Sequence, residues 1–177
     1  MMKKITIVVI FTTAMCLLNS CIFGGAGMAI FDDSDRKADA RMEQVVEAIK
    51  THNKEALEAM FSEKAVNESD DFDSSLNHLL EFVRGEIDSW ESTGSYSGSE
   101  KIESGHVVKK EVSSFYYVNT GEQRYFFLLK DYPIDVACPE NIGFSLMLVV
   151  KAEDREKVFD LNQNVDLSHI GIYIPFE

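Results

Sequence analysis

Apolar residues recur with helical spacing in the first half of the chain and with strand-like spacing in the second half. From about Ser34 or Asp35 they follow the i, i+4, i+7, i+8, i+11 stripe of an amphipathic helix, at Ala38, Met42, Val45, Val46 and Ile49. Asn53 can cap a short second helix, and a third apolar stripe begins near Phe72 and ends before Gly85. The first half of the chain is therefore predicted to form three helices.

After Trp90, β-branched and aromatic residues predominate, and they predict strands over residues 106–118, 124–134, 141–151 and 169–175. Residues 91–99 are interpreted as a loop or an irregular first strand, and residues 152–158 as a charged turn. The segment NTGEQ is a hairpin turn in which Gly121 can take a positive φ. In the third predicted strand one face should carry Ile142, Phe144, Leu146, Leu148 and Val150. Helices followed by strands predict an α+β fold, with N-terminal helices packed on one face of a curved antiparallel sheet.

Consecutive aromatic residues at positions 115–117 and 125–127 place rings on both faces of this predicted sheet. One face packs under the helices. The other face is partly exposed unless another strand, a ligand or a partner covers it. Ordinary packing on a strongly curved sheet is the favoured interpretation, and a binding surface is the alternative.

The first twenty residues have the composition of a secretory signal. Lys3 and Lys4 precede a mainly apolar run over residues 5–18. That run has 14 residues, whereas a helix needs about 20 to span a bilayer. A short basic segment followed by a short apolar segment is typical of a signal peptide rather than of a permanent transmembrane helix.

The signal ends in the sequence Leu-Asn-Ser-Cys at positions 18–21, which resembles the lipobox of bacterial lipoproteins. The resemblance implies that the Cys21 thiol receives a diacylglyceryl group and that cleavage follows the small residue Ser20. Cys16 is a weaker candidate because bulky Met15 precedes it. We therefore expect a signal peptide over residues 1–20, a flexible tether over 21–34 and a single domain over 35–177. The acyl chains would hold the protein on the outer face of the bacterial cytoplasmic membrane.

The charge balance excludes some partners. Removal of residues 1–20 leaves 157 residues, of which 15 are basic and 30 are acidic. A surface this acidic disfavours nucleic acid and anionic lipid headgroups. If Cys21 carries lipid, Cys138 is the sole remaining cysteine, so no intramolecular disulfide is expected.

The chain contains no recognisable catalytic or metal-binding motif. Its four histidines, at positions 52, 78, 106 and 169, have no ligand spacing, and the sequence has neither a G-x-S-x-G segment nor a phosphate loop. The acidic clusters lack the calcium-loop pattern, and Asp70, Asp71 and Asp73 are better explained by capping of a helix. We therefore expect no metal and no cofactor.

Several segments resemble small Gram-positive lipoproteins of domain-of-unknown-function family 5104. They include the helical stretch over residues 37–65, FVRGEIDSWES, SFYYV, YFFLLKDY, LMLVVKAEDREKVF and the terminal GIYIP. The opening helices also resemble the nuclear-transport-factor-two-like superfamily, in which helices and a curved sheet form a cone that can hold a ligand. Enzymes of that superfamily use a His–Asp or Tyr–Asp pair in the cavity, so His78 or Tyr117 with Asp131 are the candidate catalytic pairs here.

The sequence is thus interpreted as a lipid-anchored, non-catalytic binding or interaction module. Its expected partners are the membrane through Cys21, and either a small apolar ligand or another protein of the envelope. An enzyme that uses one of the candidate pairs is the main alternative. A solute-binding lipoprotein of a transporter is a second alternative, although 157 residues are few for a two-lobed clamshell.

Overall fold

The computed structural model describes residues 25–163 and 165–176, with side chains described from residue 33 onward except at position 95. The predicted signal peptide and Cys21 lie outside the described residues. The chain divides into a unit that ends at Lys37 and a unit that begins at Ala38. The helices are α1 (Gly25–Lys50), α2 (Lys54–Glu58), α3 (Glu63–Glu68), α4 (Phe72–Phe82) and α5 (Arg155–Val158). The strands are β1 (Ile87–Glu103), β2 (His106–Thr120), β3 (Arg124–Asp135), β4 (Gly143–Lys151) and β5 (Gly171–Tyr173).

Helix α1 begins earlier than predicted. The pattern indicated a start near Ser34 or Asp35, but the helix runs from Gly25 and includes part of the segment expected to be a flexible tether. The Asp33 carboxylate lies 2.7 Å from Arg36 Nη2 and 2.6 Å from Lys37 Nζ. These i, i+3 and i, i+4 pairs are contacts within a helix, so Asp33 does not mark a helix N-terminus.

Side-chain caps begin the three short helices that follow α1. Asn53 Oδ1 accepts a hydrogen bond from the Ala56 amide at 2.9 Å, as predicted for the second helix. Asp71 Oδ1 accepts from the Ser74 amide at 2.9 Å, which confirms a capping role in the acidic segment before α4. Helix α3 was not predicted, because its six residues are too few to show an apolar period.

The five strands form one open sheet in the order β1-β2-β3-β4-β5. Neighbours are antiparallel as far as β4, but β5 is parallel to β4, so the sheet is mixed rather than purely antiparallel. Residues 91–99, interpreted as a loop or an irregular first strand, belong to β1, whose pairing with β2 shifts register between Ser92 and Tyr96. The predicted class, α+β with N-terminal helices on one face of the sheet, is confirmed.

A bulge at the start of β4 corrects the predicted face of that strand. Lys130 pairs with Leu146, but Asp131 pairs with Phe144, so Ser145 is an extra residue. Phe144 consequently packs in the same core as Met147 and Val149. A one-residue shift turns side chains to the opposite face, so the prediction that Phe144 shares a face with Leu146, Leu148 and Val150 was wrong. Ile142 precedes the strand and is exposed.

Backbone hydrogen bonds attach the segment after α2 to this bulged end of β4. The Phe144 amide donates to the Met60 carbonyl at 2.9 Å, and the Ser62 amide donates to the Phe144 carbonyl at 3.0 Å. Phe61 thereby forms a single parallel bridge with Phe144. Gly143 permits this close approach, because its φ is +121° and an added Cβ would lie 2.7 Å from the Ser62 amide nitrogen.

The helix-side core fills the space between the helices and the sheet. Its residues come from α1, α2, α3, α4 and every strand, with Ile170 and Ile174 packed against it from either side of β5. The largest fully buried side chains in it are Met42, Leu57, Leu76, Leu79, Tyr116, Tyr125, Phe127, Leu129, Phe144 and Met147. None of the described helices has both the length and the apolar character needed to cross a membrane.

The back-face core lies on the other side of the sheet and is covered by the chain itself. Its buried members are Phe126, Leu128, Leu146, Leu148, Val150 and Val158. Residues from the C-terminal segment pack against them, among them Val165, Leu167 and Phe176. This covering segment explains how the sheet carries rings on both faces without a further strand or partner.

Candidate functional site

Asp131, a candidate catalytic residue, contacts α1. Its carboxylate oxygens lie 3.3 Å from Arg41 Nε and 3.5 Å from Arg41 Nη2. Arg41 also donates to the Met60 carbonyl at 2.9 Å and stacks its guanidinium 4.2 Å from the centre of the Phe144 ring. Burial raises the pKa of Asp131, and the charge of Arg41 opposes that rise. The described contacts of Asp131 are thus those of an ion pair between helix and sheet.

The other two candidates lie elsewhere. Tyr117 packs in the back-face core, with its ring 5.7 Å from that of Phe126 and 3.9 Å from the Arg124 guanidinium. His78 lies on α4 with its ring 6.2 Å from that of Phe82, and it lines a surface cleft of about 400 Å³. Asp131 does not line that cleft. The structure therefore does not assemble either predicted pair.

A Tyr–Asp pair that the sequence did not indicate lies between α1 and β1. The Tyr96 hydroxyl donates to Asp39 Oδ1 at 2.7 Å and lies 2.9 Å from Ser92 Oγ. Burial raises the pKa of Tyr96, and burial also raises that of the neighbouring Tyr116. Asp39 and Tyr96 are 57 positions apart and the pairing of β1 is irregular, so no pattern in the sequence indicated this contact.

A polar cleft of about 340 Å³ opens among α3, the ends of β2 and β3, and the segment before β5. We call it the lysine-lined cleft, because Lys64, Lys109 and Lys130 contribute to its lining together with Tyr132, Asn141 and His169. Among the residues that the structure describes, no aspartate or glutamate lines it. Its lysines come from three separate elements, so linear spacing could not reveal the cleft.

Neighbouring groups fix two of the lysines. Lys130 Nζ donates to the Leu167 carbonyl at 2.6 Å. Lys109 Nζ lies 3.3 Å from Asp135 Oδ2 and 5.0 Å from the centre of the Tyr132 ring. Each ammonium group therefore has a defined position at the wall of the cleft.

Asp135 organises one end of the cleft. It is buried, and it accepts hydrogen bonds from Asn141 Nδ2 at 2.9 Å and from the Cys138 amide at 3.1 Å. These bonds and the Lys109 charge lower the pKa of Asp135, with the Asn141 bond as the largest cause. Cys138 thus takes part through its backbone amide.

The arrangement can attract and orient an anion, since lysine ammonium groups are donors and carry positive charge. Within the described part of the chain, no three His, Cys, Asp or Glu side chains are grouped to hold a metal ion.

Helices on one face of an open mixed sheet, with a covering segment on the other face, define an α+β protein with two cores. The family model described as "Domain of unknown function (DUF5104)" matches residues 44–152, from the last two turns of α1 to just beyond β4. The chain belongs to this family, as the sequence resemblance predicted. No curated protein matched the chain.

Proposed function

We propose that the protein is a lipid-anchored, extracytoplasmic binding module without catalytic activity. The lipobox-like sequence that ends at Cys21 supports the anchor, and it follows an apolar run of signal-peptide length. The proposed location is the outer face of the bacterial cytoplasmic membrane. The acidic composition of the chain is consistent with a domain held there by lipid rather than by attraction to anionic headgroups.

The lysine-lined cleft is the observation that carries the binding role. It offers positioned cationic donors at the surface, and none of the described residues in its lining is a carboxylate. The helix-side interior, where a small apolar ligand was expected, is occupied by buried side chains such as Tyr116 and Phe127. We therefore place ligand binding at the cleft, with a protein of the envelope as the alternative partner.

The Tyr96–Asp39 pair does not favour the enzymatic alternative. A general acid or base works best with a pKa near the operating pH, whereas burial raises the pKa of Tyr96 above an already high value of 10.0. The contact joins α1 to β1 and is explained by that structural role.

Fractionation of cells that express the full chain tests the anchor. Wild type and Cys16→Ser should be recovered in the membrane fraction, with a mass that shows lipid addition and removal of residues 1–20. Cys21→Ser should lose the lipid and shift to the precursor or soluble fraction. Unchanged membrane retention of Cys21→Ser, with no lipid mass on the wild type, would refute the anchor.

A further inference from the structure

We propose that the lysine-lined cleft binds a small ligand through a phosphate-type dianion. This inference rests on the proposed binding role and specifies the chemical class of the ligand. Lys64, Lys109 and Lys130 place three ammonium groups around about 340 Å³, although the chain as a whole has a net charge of −13. Cations gathered in one place repel each other, so a bound dianion would stabilise the arrangement.

The charge balance of the three lysines indicates a dianion rather than a monoanion. Lys109 is paired with the buried carboxylate of Asp135. Lys64 has only a loose contact, 3.9 Å from Glu68, in which both side chains are exposed, and such pairs contribute little. Among the residues that the structure describes, Lys130 has no ion pair with a carboxylate. Two positive charges at the cleft therefore lack a close counter-ion.

Asp166 is a nearby carboxylate that interacts with the charge of Lys130 without forming a close ion pair with it. Its Oδ1 accepts from Ser168 Oγ at 2.6 Å and from the Ser168 amide at 2.8 Å. These bonds are the main reason why the pKa of Asp166 is lowered, and the charges of His169 and Lys130 contribute less. Asp166 does not line the cleft, and its hydrogen bonds with Ser168 hold its carboxylate within the local turn.

The lysines retain donors for a ligand. An ammonium group has three N–H donors, and Lys130 uses one of them on the Leu167 carbonyl. That bond holds the group in place while leaving two donors for phosphate oxygens. Tyr132 directs its hydroxyl to Glu111 Oε2 at 3.0 Å, and burial with that contact raises its pKa to about 12, so Tyr132 adds no negative charge.

The dimensions and the apolar part of the lining indicate a small organic ligand. About 340 Å³ is at the lower end of the 300–1,000 Å³ typical of ligand pockets. Leu167 and Ile170 provide apolar surface beside the cationic groups. A compact phosphate ester fits this combination better than an extended polyanion does.

Isothermal titration of the full-length, detergent-solubilised protein with inorganic phosphate and with phenyl phosphate tests the proposal. We expect saturable binding that weakens as sodium chloride is added, because salt screens exposed charges. Tighter binding of phenyl phosphate would support an organic phosphate as the ligand, and equal binding would support free phosphate. Absence of saturable binding, or acetate binding as tightly as phosphate, would overturn the proposal.

Substitutions of the cleft lysines test whether phosphate binds in the lysine-lined cleft. Lys130→Met should weaken phosphate binding at least about tenfold, because charge-assisted hydrogen bonds to the phosphate are lost. Lys130→Arg should restore part of the affinity because it keeps the charge. Lys64→Met should also weaken binding, and its partly exposed position makes a folding defect easy to exclude by circular dichroism. Lys50→Met, at the exposed end of α1, is the matched control. Wild-type affinity in both Lys64→Met and Lys130→Met would refute the site.

The two proposals fail separately. A protein that carries lipid on Cys21 but does not bind phosphate would refute only the ligand class. Phosphate binding by a protein without lipid would refute only the anchor.

Discussion

At the residue scale, burial and the charge of Arg41 change the pKa of Asp131 in opposite directions. Both side chains are mostly buried, with 30% of Arg41 and 19% of Asp131 exposed. Burial disfavours the charged carboxylate, and the guanidinium partly offsets that cost. The pair therefore matters most when one member is removed, because a buried charge without a partner is costly.

We expect Arg41→Met to lower the free energy of unfolding by about 1–3 kcal/mol at pH 7, since it leaves the Asp131 carboxylate uncompensated. The raised pKa of Asp131 means that its proton is held more tightly in the folded state. The cost of Arg41→Met should accordingly shrink as the pH falls towards 4. Urea denaturation at several pH values measures this effect. In an Asp131→Asn background the cost should be smaller, and equal costs in both backgrounds would contradict the coupling.

The pKa of Asp135 is shifted in the opposite direction from that of Asp131, so its contribution to stability depends on pH in the opposite sense. Its pKa is below the ordinary value of 3.8, so its carboxylate stabilises the fold above that pH, and the stabilisation is lost as the pH falls through the lowered value. Asp135→Asn should lower the thermal midpoint at pH 7, and the difference from wild type should narrow below pH 4. Asp88→Asn, at an exposed position, is the control. A constant difference from pH 7 to pH 2.5 would show that the charge of Asp135 is not the cause.

At the element scale, Gly143 determines how the helical segment meets the sheet. We expect Gly143→Ala to lower the free energy of unfolding by about 2–4 kcal/mol, because the backbone conformation is strained for other residues and the new methyl group meets the Ser62 amide. Gly121→Ala is the control, since its Cβ would enter open space, and its effect should stay within about 0.5 kcal/mol. Chemical denaturation of both variants measures the difference, and similar values would contradict this role of Gly143.

The spacing of apolar residues predicted most elements because it records which face is buried. Helix α4 and the strands β2 and β3 follow it closely, with bounds within a few residues of the prediction. The bulge at Ser145 could not be predicted, because strict alternation in the sequence hides an extra residue. The start of α1 was misjudged because acidic residues such as Asp33 suit the N-terminus of a helix but can equally form ion pairs within one.

The candidate site was less predictable than the fold. Asp131 and Arg41 are 90 residues apart, and the lysines of the cleft come from α3, β2 and β3. Such groups come together only through the register of the sheet and the path of the C-terminal segment. Pairing of His78 or Tyr117 with Asp131 was a hypothesis from resemblance, and no local pattern could test it.

At the scale of the whole molecule, stability depends on two cores that share one sheet. Phe126 is fully buried in the back-face core, next to Tyr117 and the partly exposed Phe159. We expect Phe126→Ala to lower the free energy of unfolding by about 3–5 kcal/mol, since it leaves a cavity the size of a ring. Phe159→Ala should cost less than about 1 kcal/mol, because 45% of that side chain is already exposed. Equal costs, measured by denaturant unfolding, would contradict burial of the back face by the covering segment.

The position of the covering segment along the chain has a consequence for biosynthesis. Neither core is complete before residues 158–176 have been made, because Val158 and Phe176 belong to the back face and Ile172 to the helix side. A nascent chain that ends at β4 already contains most of the helix-side core, but it leaves the back face of β3 and β4 without its covering segment. In a protein exported as we propose, complete folding would therefore wait for residues 158–176.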